Sequence, residues 1–103
     1  MSSEVDVVSD IAKMLKAFAM CEMYGVIDRL ANATSKEAVE AAIYEALRAA
    51  RSASKPGRRL CEGVEYVYIA REESISKLLE ELDKDLISGL DLVKKIVLKA
   101  LAI

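Results

Sequence analysis

The chain has 103 residues, 53% of them hydrophobic, and a formal net charge of -2. That length fits one domain, and that apolar fraction argues against global disorder. It has no histidine, and its four glycines stand alone at 25, 57, 63 and 89, so the commonest catalytic base and metal ligand is missing, as is any phosphate-cradling loop; neither an enzyme nor a cofactor or metal site is expected.

In chain order, Val5, Val8, Ile11 or Ala12, Leu15, and Phe18 or Ala19 recur at spacings of three and four. They predict an amphipathic helix over about 5–23. Met14, Met20, Cys21 and Met23 widen its apolar surface. Such stripes usually fill core gaps, the alternative being an adaptable partner surface. After Gly25, VIDRLANA predicts a short helix over about 26–33 with Val26, Ile27 and Leu30 inward. Thr34-Ser35-Lys36-Glu37 has the form of a capping box. A helical stripe of Val39, Ala42, Ile43, Ala46, Leu47 and Ala50 then runs over about 35–53.

Ser52 to Gly57 is the main break, because Pro56 disfavours helix at Lys55 and Gly57 permits a turn. Val64, Tyr66, Val67, Tyr68 and Ile69 are strand formers. With Glu62-Gly63 as the turn, a small β-hairpin is expected over about 58–70, pairing 59–61 with 64–69. Beyond it, Ile75, Leu82, Gly89, Ile96 and Ile103 keep one seven-residue register, and Leu79, Leu86, Val93 and Ala100 keep another. This predicts one long helix over about 72–102, in which Gly89 either admits a close neighbour or marks a mild kink. Acids early and lysines late suit its dipole. The expectation is therefore a mainly α single domain, 1–103: a small helical bundle with a short β-hairpin insertion before a long C-terminal helix.

Cys21 and Cys61 are too few and too far apart for a metal site or redox motif, and read as two reduced, largely buried thiols. No run approaches the roughly 20 apolar residues of a membrane span. MSSEVDVVSD lacks the basic region of a signal peptide. A cytoplasmic protein is expected. Lys94, Lys95 and Lys99 beside an apolar tail could suit a membrane surface, but bundle packing explains that stripe better.

RAARSASKPGRR, residues 48–59, carries five cations and no acid. With about 100° per residue, Arg48, Arg51 and Lys55 fall opposite the core stripe, on the same side as Tyr44. Arg58 and Arg59 continue the charge past the turn. Cations neutralise phosphates and a tyrosine face can stack on an unpaired base, so these six residues are the candidate nucleic-acid surface. No base-reading motif accompanies them, so contact would be indifferent to sequence. Two plainer readings stand beside this one. A solvated helix face looks the same, with Glu45 able to pair with Arg48, and the acidic surface of a protein partner would fit as well. Tyr66 and Tyr68 read as one face of the hairpin rather than as stacking residues.

Two blocks carry a resemblance. YGVIDRLANATSKEAVEAAIYEALRAAR (24–51) and SISKLLEELDKDLISGLDLVKKIVLKALA (74–102) resemble the small subunit family of the archaeal type I-A CRISPR interference complex, or Cascade. The order of helices, β insertion and helix also fits that family. The resemblance implies a non-enzymatic subunit in antiviral defence. Such a subunit packs against CRISPR backbone and large subunits, self-associates, and helps hold target or displaced-strand DNA as a single strand. In that setting guide pairing supplies sequence specificity, and a sequence-indifferent DNA-binding surface has a purpose. The β segment, about 58–70, is shorter than in larger relatives. The competing expectation is a helical self-association or scaffold module with no nucleic-acid contact, supported by the heptad seam and the apolar excess.

Overall fold

The first helix starts where a side chain can satisfy its free amides. Asp6 has extended backbone, and its carboxylate accepts from the Ser9 N–H at 3.1 Å and the Ser9 hydroxyl at 3.0 Å. These bonds hold the Asp6 carboxyl below its ordinary value. The computed structural model describes residues 6–102. Its helices are α1 (Val7–Met20), α2 (Gly25–Ala31), α3 (Lys36–Ala53), α4 (Glu72–Lys84) and α5 (Leu86–Leu101). Val5 and Ile103, placed by the periodicity on the first and last helices, lie outside the described residues.

Helix α1 ends without glycine. The Glu22 N–H donates to the Ala19 carbonyl and the Met23 N–H to the Phe18 carbonyl, at 3.0 and 2.8 Å. This is a Schellman closure, and Glu22 occupies its left-handed position with φ 57°.

The core follows the predicted stripes. Ile11, Leu15 and Phe18 from α1 are buried, as are Val26, Ile27 and Leu30 from α2. So are Val39, Ala42, Ile43, Ala46, Leu47 and Ala50 from α3. Helices α4 and α5 both pack on α1, while α3 leans on α2 and α4. Full burial of each large aliphatic side chain stabilises the fold by about 1.5–3 kcal/mol.

The expected capping box is displaced by one residue. Ser35, not Thr34, has extended backbone, and its hydroxyl accepts from the Ala38 N–H at 3.2 Å. Glu37 is thus one position too early to reach back to the cap.

The single long C-terminal helix is corrected to two. Asp85 adopts extended backbone, ends α4 and caps α5, its carboxylate accepting from the Ile87 and Ser88 N–H groups at 3.1 and 3.3 Å. A side chain that satisfies the amides of a new helix makes the corner favourable. One heptad register stays buried on both sides of the break, at Ile75, Leu82, Gly89 and Ile96, whereas Leu86 of the other is exposed at the corner. Gly89 serves the first of its two expected roles. A Cβ there would lie 2.6 Å from Leu82 Cδ2 and 2.7 Å from Leu82 Cα, so only glycine lets α5 fold back this closely on α4.

The β-hairpin does not form. Among the described residues the pairing reduces to one antiparallel bridge, Cys61 to Val64, around Gly63 with φ 89°. Residues 58–71 are instead an irregular strap with a turn at 61–64. Val64, Val67 and Ala70 are its buried positions. Their spacing of three is wrong for a strand, which needs alternation, and reflects a segment laid against helices.

The cysteines are also corrected. Cys21 and Cys61 form a disulfide across a sequence separation of 40, and both are half-buried rather than buried. Cys21 is the C-cap of α1 and Cys61 sits on the strap, so the bond pins the strap to the end of that helix.

Candidate nucleic-acid interface

The side chains proposed for nucleic acid sit on α3 and the turn after it. Arg48 and Arg51 are exposed, about 60° apart around the helix at 100° per residue. Tyr44 lies on the same side, half-buried against the core. Lys55 and Arg58 are exposed on the turn, which the Arg58 N–H closes by donating to the Lys55 carbonyl at 3.0 Å. Gly57 supplies the left-handed residue of that turn, with φ 76°. Arg59 faces along the strap and pairs with Glu65 at 3.2 Å. Both partners are exposed, and such pairs contribute little, about 0–1 kcal/mol.

The acid expected to neutralise this face is engaged elsewhere. Glu45 pairs with Arg29 of α2 instead of with Arg48. Among the described residues, Arg48, Arg51, Lys55 and Arg58 form no ion pair. The α3 face is therefore a patch of uncompensated guanidinium and ammonium groups with one tyrosine at its edge.

A second cationic surface was not legible in the sequence. Lys13, Lys16 and Met20 project from the outer side of α1 as a ridge, and Lys99 of α5 borders it. One flank is a groove between Met20, Tyr24 and Leu101, and the other is closed by Val64, Tyr66 and Tyr68 of the strap. Met20 is 66% exposed and Tyr66 76%. Of the methionines expected to fill core gaps, Met14 does so, whereas Met20 and Met23 are exposed. Lys13 Nζ lies 4.5 Å from the centre of the Tyr68 ring, a cation–π distance.

Asp10 fixes the strap beside this ridge. Its carboxylate accepts from the Tyr68 hydroxyl and, at 2.8 Å, from the Arg71 N–H at the start of α4. Burial pushes the Asp10 carboxyl up, but these hydrogen bonds outweigh it and hold the group below its ordinary value. The same contact, with burial, holds the Tyr68 phenol above its ordinary value. Among the described residues no group of three or more Cys, Asp or Glu side chains is placed to hold a metal ion. No described helix is long and apolar enough to cross a membrane.

Residues 14–96 match the family described as CRISPR-associated protein (Cas_Csa5). The chain belongs to that family. The resemblance carried by residues 24–51 and 74–102 is thus borne out, and the chain is CRISPR-associated. A search of curated proteins finds no match. The Cas_Csa5 match includes the whole α3 face, and of the ridge it takes in Lys16, Met20, Tyr66 and Tyr68.

Proposed function

We propose that the chain is a non-enzymatic small subunit of a type I-A CRISPR effector complex. It packs against other subunits and helps hold target or displaced-strand DNA through its α3 face. Family membership supports the first part. The second part is carried by one observation, the absence of acidic partners for Arg48, Arg51, Lys55 and Arg58 among the described residues. Uncompensated cations release counterions when they meet phosphates, and this term is blind to sequence. Guide pairing supplies the specificity that such a surface lacks. With a net charge of -2, the free chain binds weakly and gains affinity within the assembly.

A salt titration of single-stranded DNA binding tests the surface. Replacing Arg51 and Arg58 by alanine is expected to reduce the slope of log K against log salt by about 0.7 for each lost phosphate contact. An unchanged slope sinks the α3 face as a DNA surface. The self-association reading draws on a different observation: Ile87 and Leu98 on α5 are 74% and 69% exposed. Light scattering that finds only monomer at high concentration removes that reading.

A further inference from the structure

We propose that the α1 ridge docks an amphipathic helix of a neighbouring protein chain, one whose apolar stripe is bordered by carboxylates. The inference rests on the reading of this chain as a subunit of a CRISPR assembly.

The shape favours a helix. Lys13, Lys16 and Met20 lie at i, i+3 and i+7 and form a ridge between two grooves of about 430 and 330 Å³. Ridges and grooves of this kind are what a second helix packs into. Exposed methionine and tyrosine supply adaptable apolar contact area, and both are enriched in interface cores. The strap wall is already fixed by the Cys21–Cys61 bond and by the Tyr68 hydroxyl on Asp10. Little ordering is left to oppose binding on that side.

The charge selects the partner. Lys13 and Lys16 line the grooves, Lys99 lies across an adjoining hollow from them, and none of the three forms an ion pair among the described residues. Among the described residues the only carboxylate lining them is Glu65, which pairs with Arg59. A second copy of this chain fits badly, because a two-fold contact through the ridge sets lysines against the same lysines. A nucleic-acid strand also fits badly. Following the ridge, it would press phosphates against Met20 and Leu101 and desolvate them without partners. Carboxylates flanking an apolar stripe satisfy both features at once.

The test is co-purification of this chain with the other subunits of its cognate CRISPR complex, reconstituted without DNA. Met20→Glu with Lys16→Glu is expected to lower incorporation by about tenfold or more, as loss of an interface hot spot does. Lys16→Glu alone is expected to lower it less, while Met20→Leu and the charge control Lys84→Glu leave it intact. Thermal melts matching the wild type show that the variants fold. Equal incorporation of the double variant and the wild type overturns the inference and leaves the proposed function standing. Failure of the wild type to join the complex overturns both. Fluorescence anisotropy with oligothymidylate supplies another arm. If the double variant loses oligonucleotide binding while Arg51→Ala with Arg58→Ala keeps it, the ridge is a nucleic-acid surface and the inference falls. Light scattering that finds a wild-type dimer dissociated by Met20→Glu overturns it in favour of a second copy.

Discussion

The α3 face and the α1 ridge carry similar charge in different company. On α3, guanidinium groups stand on a helix whose apolar residues are turned inward, with one half-buried tyrosine at the margin. On α1, two ammonium groups precede an exposed methionine between apolar walls. Planar guanidinium forks match phosphate oxygens, whereas a lysine lays its aliphatic stem along apolar surface and keeps its hydrated ammonium in water. Cationic residues alone therefore do not define a surface's partner; the groups between them do. Both surfaces rest on one core, so perturbations that act on one and spare the other sharpen the contrast.

The largest split is expected from the disulfide. Removing it, with Cys21→Ser and Cys61→Ser, frees a loop of 40 residues and costs about 2–4 kcal/mol. In hydrogen exchange, amides of the strap should lose protection first while those of α3 keep theirs. Uniform loss across both regions breaks the comparison. Gly89→Ala should act on both surfaces together, since its Cβ would meet Leu82 backbone at 2.7 Å. The expected cost is about 1–3 kcal/mol, seen as a lower thermal midpoint.

A pH series comes next. Asp10 has its folded value below its ordinary one of 3.8, so its stabilisation is present above that value and is lost as pH falls through the folded value. The stability difference between wild type and Asp10→Asn should therefore be full near neutrality and shrink below about pH 3.8. A pH-independent difference argues against the carboxylate's role in holding the strap. The smallest effect is expected at Glu22, whose φ of 57° favours glycine. Glu22→Gly relieves about 1–2 kcal/mol of left-handed strain and loses part of it to unfolded-chain entropy. A midpoint raised by a few degrees in calorimetry checks this; a lowered midpoint removes the strain argument.

Helix stripes were legible in the sequence because burial of Val39, Ile43 and Leu47 imposes a local period. The Asp85 corner was not, because the apolar beat continues through it and only the capping carboxylate marks the change of direction. The strap read as a hairpin because Val64 to Ile69 are strand formers, yet their partner is a helix surface rather than another strand. A run such as residues 48–59 is visible along a chain. The ridge is not, because Lys99 joins Lys13 and Lys16 only after α5 packs on α1. For the same reason the pairing of Cys21 with Cys61, 40 residues apart, is not visible along the chain. What could have signalled the ridge is the Lys13, Lys16, Met20 spacing, which puts a methionine on the polar side of its helix.

Asp10 also has a kinetic consequence. Its two hydrogen bonds span 58 and 61 residues of sequence, whereas the helix caps at Asp6, Ser35 and Asp85 reach only two or three. Closing a long loop before any contact rewards it is slow, so the helices should form ahead of the strap during folding.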